Sequence, residues 1–184
     1  MYSEIEAKLK VDSLDEVEAR LKELGAEFIE ELFQSDCHFD DASAALTNSD
    51  RCLRLRKQIA GEYTRYFLTF KGAREKSNFK KRQEIEIEIA DADSTEKLLT
   101  ALGYGRTLSV DKKRRLWQFH GCEIALDELQ LLGDFVEIEG PDDEIITEVQ
   151  KILGLENLSH IPKSYASLIV DKLRHQINEQ KKEE

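Results

Sequence analysis

The chain has 184 residues, with 27 Lys and Arg against 38 Asp and Glu and a net charge of -11. One domain of this size can bury a proper core, and so acidic a chain is a poor partner for nucleic acid or for an anionic membrane. Cys37, Cys52 and Cys122 lack CxxC spacing, and there is neither a signal-peptide pattern nor an apolar run long enough to span a bilayer, so disulfides and zinc are disfavoured and a cytoplasmic protein is predicted.

Residues 3–11 alternate strictly and predict a strand with Glu4, Glu6 and Lys8 on one face and Ile5, Ala7 and Leu9 on the other. Ser13 and Glu16 form a capping box. Leu14, Val17, Leu21 and Leu24 then trace a helical face that stops at Gly25. The stretch that follows reads as extended to residue 40, and residues 41–50 read as a polar, small-residue loop. "RCLRLRK", "YTRYFLTFK" and "FKKRQEIEIEIAD" predict three more strands, with loops around Gly61 and Gly72. A second helix starts at Asp93 and Glu96, carries Leu98, Leu99 and Leu102, and ends at Gly103. "LSVDKKRRLWQF", "CEIALDEL" and "DFVEIEG" are again extended. Pro141 and Asp142 open a third helix that stops at Gly154, and a fourth begins near Ser164.

These elements predict a single domain over residues 1–176, followed by a charged tail, 177–184, that should fray. The sum is about eight strands and four helices, with a strand–helix–strand unit seen from residue 4 and again from residue 80. A large, mostly antiparallel sheet with helices outside, open or closed as a barrel, is the natural packing.

The strands share one pattern. Arg54 and Arg56 oppose Leu53 and Leu55; Lys80, Arg82, Glu84 and Glu86 oppose Ile85 and Ile87; Glu137 and Glu139 oppose Val136 and Ile138; Glu123 and Asp127 oppose Ile124 and Leu126. Any one such strand reads most simply as a half-buried sheet with a solvated face. Several together put all the charge on one side, and a sheet that curls around that side encloses a polar interior. Desolvated charges must be paired or must bind something. A compact polyanion matches the cations, and Glu4, Glu6, Glu137 and Glu139 then suit a hard divalent cation such as Mg²⁺, which takes one or two carboxylates plus phosphate oxygens. No GxxxxGK[ST] or GxGxxG loop is present, and the four histidines lack ligand spacing.

At this point the sequence resembles the CYTH proteins, the triphosphate tunnel metalloenzymes. The resemblance rests on Glu4-Ile5-Glu6-Ala7-Lys8, then "QSDCHFDD", "LRLR", "LTFKG", "KKRQEIEIE", "VDKKRRLW", "ALDELQLLGDFVEIEG" and "IPKSYASLI", in that order and nearly end to end. It implies an α+β fold built on an eight-stranded antiparallel β-barrel with helices packed outside and a tunnel for triphosphates. Glu4, Glu6, Glu137 and Glu139 are its implied metal carboxylates for Mg²⁺ or Mn²⁺, with Asp127, Glu84 and Glu86 in second rank. Lys8, Arg54, Arg56, Lys71, Lys80, Arg82, Lys112 and Arg114 are its implied phosphate cations, with Lys163 reaching in from the last helix. Glu4, Glu6, Lys8, Arg54, Arg56, Lys71, Arg82 and Glu137 are the implied catalytic set.

Two positions depart from the pattern or leave it open. His38 stands where the family usually has tyrosine. Alternation in "VDKKRRLW" turns inward either Lys112 and Arg114 or Lys113 and Arg115, and the family motif favours the first pair.

The family includes class IV adenylyl cyclases, inorganic triphosphatases and thiamine triphosphatases, so the fold does not choose the reaction. "EIEAKLKV" with "LDELQLLGDFVEIEG" resembles the cyclase branch most closely. The expected substrate is ATP, with tripolyphosphate or thiamine triphosphate as the hydrolase alternatives. A non-catalytic polyphosphate- or nucleotide-binding module is a third reading, and a homodimer is the candidate oligomer.

Overall fold

Strict alternation makes each strand a two-faced wall, and the walls close on themselves. A computed structural model describes residues 2–76 and 78–183. Its elements in chain order are β1 (Tyr2–Lys10), α1 (Leu14–Glu23), β2 (Glu27–Asp40), α2 (Ala45–Asn48), β3 (Cys52–Ala60), β4 (Tyr63–Lys71), β5 (Lys80–Ile89), α3 (Ala92–Ala101), β6 (Gly105–Phe119), β7 (Cys122–Leu129), β8 (Gly133–Glu139), α4 (Asp143–Ile152) and α5 (Tyr165–Glu183). The strands form a closed antiparallel barrel in the order β1-β5-β4-β3-β2-β6-β7-β8. Adding four to each strand number maps this ring onto itself, so the repeated strand–helix–strand unit is half of a topologically twofold ring.

The main hydrophobic core lies outside the barrel, between its wall and the helices. Leu9, Ile124, Val136 and Ile138 point outward and pack under Leu14 and Leu21 of α1 and Ile146 and Val149 of α4. On the inner face, Val110, Leu129 and Phe135, in phase with Lys112, Asp127 and Glu137, pack against Tyr165 and Ile169 of α5, while outside the wall Phe39 and Leu55 pack against Leu99 of α3. Burying one such side chain stabilises the fold by about 1.5–3 kcal/mol, which gives the apolar faces the energy to turn the charged faces inward.

Helix starts carry side-chain caps: Ser13 accepts from the Glu16 N–H, Asp91 from Asp93, Asp142 from Ile145 and Ser164 from Ser167. The loop expected at 41–50 instead holds the short helix α2. Its neighbouring N-cap position, Ala44, offers no cap, but Asp40 accepts from the Leu46 and Thr47 N–H groups and Asp41 from those of Ser43 and Ala45. Carboxylates several residues upstream thus satisfy its free donors. The Glu-, Gln- and Lys-rich segment after residue 176 continues α5 as helix to Glu183, as its good helix formers allow. Among the described residues, no helix is long and apolar enough to cross a membrane.

Candidate active site

The barrel interior is a cavity of about 950 Å³ whose wall is built from the inward faces of the strands. Glu4, Glu6 and Lys8 of β1 are buried there and stand opposite Arg82, Lys80 and Glu137 in the sheet register. Two pairs of counterpart strands differ in charge. β3 and β4 contribute Arg54, Arg56 and Lys71, whereas their counterparts β7 and β8 contribute Asp127, Glu137 and Glu139.

Most of these charges are paired. Lys71 Nζ lies 2.8 Å from Glu4 and 2.6 Å from Glu84, and Lys80 Nζ donates to Glu6. Arg56 grips Asp36 through two bonds of 2.6 and 2.8 Å. Arg54 donates to Thr69 Oγ1 at 3.1 Å and approaches Glu86 at 3.4 Å. Across the tunnel, Arg114 donates two bonds of 2.6 Å to Asp127 and a third bond to Glu137. Lys112 lies 3.1 Å from Asp127, and Lys8 lies 3.1 Å from Glu137.

Burial alone would raise the Asp36 and Glu137 carboxyls, but the Arg56 and Arg54 charges beside the first and the Lys8 and Arg114 charges beside the second hold both below the usual range. Burial with the adjacent Arg114 lowers the Lys112 ammonium to about 8. Both sides of the tunnel thus present cations held by carboxylates.

Two groups stand out by lacking a partner. Arg82 is 6% exposed, its buried Nε has no acceptor, and among the described residues it makes no ion pair. A buried guanidinium in that condition favours an anion. Glu139 has no cation partner among the described residues and stands in register with both Glu6 and Glu123. Burial and the charges of Glu4 and Glu123 push its carboxyl up to about 8.

A cluster of oxygen donors repelling one another fits a hard divalent cation. Among the described residues no three His, Cys, Asp or Glu side chains form a closed cage.

The tunnel wall brings together Glu4, Glu6, Lys8, Arg54, Arg56, Lys71, Lys80, Arg82, Glu84, Glu86, Lys112, Arg114, Glu137 and Glu139, and Asp127 is buried against its cations. Within it, Glu84, Glu86 and Asp127 face cations rather than the Glu6–Glu139 cluster, an arrangement that orients those cations. Lys112 and Arg114 point inward, while Lys113 faces Glu128 and Arg115 reaches Glu18 on the outside. Lys163 also lines the cavity, its ammonium paired with Asp171 at 2.6 Å and its carbonyl accepting from Lys8.

Sequence reasoning passed over Asp36, Thr69 and Tyr165. Asp36 sits in phase with His38, and that alternation was a usable signal; Tyr165 follows an apolar pattern and gave none. His38 lines the tunnel with Nδ1 3.4 Å from the Cys52 thiol. Burial and the nearby arginines, opposed by Asp36, lower its imidazole to about 4, so it is neutral at pH 7.

A family model described as CYTH domain matches residues 3–165. A Methanocaldococcus jannaschii protein named as a candidate adenylate cyclase is 31% identical over 90% of this chain and 97% of its own length. An Aeromonas hydrophila protein named adenylate cyclase is 25% identical over 92% of this chain and 90% of its own. Among solved structures, one from Pyrococcus horikoshii superimposes with a TM-score of 0.80 at 30% identity, covering 93% of this chain and 99% of that one. A Hippeastrum structure, whose description reports a dominant triphosphatase activity for that protein, shares the fold with a TM-score of 0.70 at 19% identity, over 91% of this chain and 95% of that one.

Proposed function

The chain belongs to the CYTH domain family, whose members are metal-dependent triphosphate tunnel enzymes, and from that premise we propose that it converts ATP to 3′,5′-cyclic AMP and pyrophosphate with Mg²⁺ or Mn²⁺. The tunnel's size carries this reading. At about 950 Å³ it lies near the top of the roughly 300–1,000 Å³ range of small-molecule pockets, which leaves space for a nucleoside beyond three phosphates. The two relatives named for adenylate cyclase activity support the same choice.

The chain's own residues supply the electrostatics. Arg82, which makes no ion pair among the described residues, takes the first phosphate oxygens. Lys71 and Lys80 then exchange Glu4 and Glu6 for phosphate, which frees those carboxylates on the side of the tunnel shared with Glu139. Arg54 and Arg56 on one wall and Lys112 and Arg114 on the other neutralise the pyrophosphate that leaves, fixed in place by Asp36 and Asp127 before the substrate arrives. A divalent metal bound by the freed carboxylates would neutralise phosphate charge and make the ribose 3′-hydroxyl a better nucleophile.

Cyclisation and terminal hydrolysis use the same walls and differ in the nucleophile. 3′-Deoxy-ATP separates them. As a cyclase, the protein yields cyclic AMP and pyrophosphate from ATP and binds 3′-deoxy-ATP without turning it over. Orthophosphate released equally from both nucleotides, with no cyclic AMP, would replace this reading with hydrolysis.

A further inference from the structure

We propose that Tyr165 is a positioning residue for the phosphate-binding wall, through which the start of α5 sets the geometry of Lys8, Lys112 and Arg114. The inference rests on the triphosphate-tunnel reading and extends it to a residue of the last helix that lines the tunnel. Tyr165 opens α5 and is 8% exposed. Its hydroxyl donates to Asp127 Oδ2 at 2.8 Å. The same carboxylate accepts from Lys112 and takes both arms of Arg114. Asp127 is fully buried, so these donors alone decide how its carboxylate plane is turned. A rotation of that plane would carry Lys112 and Arg114 with it.

The ring does a second job. Lys8 Nζ lies 3.9 Å from its centroid and Lys112 Nζ lies 5.1 Å from it. The one ring therefore meets two ammonium groups, a contact that strengthens when desolvated. The backbone just before it is fastened to the same strand: the Ile161 N–H donates to the Lys8 carbonyl, and Lys8 Nζ donates to the Lys163 carbonyl. Phe135 packs edge-on against the Tyr165 ring and holds it in place. Hydroxyl and ring thus reach three cations from the start of α5.

The test compares tripolyphosphate binding by calorimetry in the native protein, Tyr165→Phe and Tyr165→Leu, with melting temperature recorded alongside. Tyr165→Phe keeps the ring and removes the hydroxyl, and is expected to bind about tenfold more weakly with a melting temperature near native. Tyr165→Leu loses both contacts and should bind at least fivefold more weakly again. In an Asp127→Asn background the Tyr165→Phe change should have less than a twofold effect, because the hydroxyl acts through that carboxylate. Native affinity in Tyr165→Phe, or an equal loss in both backgrounds, would overturn the inference while leaving the tunnel reading intact. If Asp127→Asn does not fold, equal affinities of the Phe and Leu variants overturn it instead. Absence of tripolyphosphate binding by the native protein would overturn both.

Discussion

Arg82→Met weakens tripolyphosphate binding by roughly 10- to 100-fold and leaves the empty protein as stable as before or more so. The two effects have one cause. Arg82 is the buried tunnel cation with no ion pair among the described residues, so the empty protein carries its desolvation cost and recovers little of it. Methionine fills similar space without charge. A charge-assisted hydrogen bond contributes about 1.5–3 kcal/mol, which sets the expected loss of affinity. Titration calorimetry and thermal denaturation check the two halves separately. A variant that unfolds more easily yet binds as well as the native protein would make Arg82 a structural cation.

Glu6→Gln should cost about 100-fold in turnover at limiting Mg²⁺, with part of the loss recovered as the metal is raised. Glu6 stands between Lys80 and Glu139 in the sheet register and meets both the cation side and the acidic side of the tunnel. The amide keeps the shape and removes the charge. Mn²⁺ binding by paramagnetic resonance in the presence of tripolyphosphate gives a readout independent of turnover and should weaken in parallel. Native metal affinity together with native turnover would remove Glu6 from the metal site.

Much of this tunnel can be read from alternation alone. A strand's side chains switch faces at every residue, so once Ile5, Leu55, Ile138 and their like are committed to the helices, Glu4, Arg56 and Glu137 have only the interior left. Residues 112–115 show where that logic stops: four consecutive basic residues or partners satisfy either register. The structure decides between them because Arg115 reaches Glu18 on α1 and Arg114 reaches Asp127, contacts far apart in sequence. Lys163 lies between regular elements, where no period fixes the direction of a side chain, and its pairing with Asp171 could not be read from alternation. The helix α2 was hidden because its capping carboxylates sit on β2 and the turn after it rather than beside its first residue.

The most direct test of the central claim is the melting temperature of the native protein with tripolyphosphate and Mg²⁺, set against sodium chloride of equal ionic strength. A ligand held only by the folded tunnel stabilises it by about 2.7 kcal/mol at a hundredfold excess over its Kd. For a chain of this size that corresponds to a rise of roughly 5–10 °C. Such a rise is expected, saturable in tripolyphosphate and largely lost in Arg82→Met. A shift no larger than that given by sodium chloride, or one of full size in Arg82→Met, would contradict it.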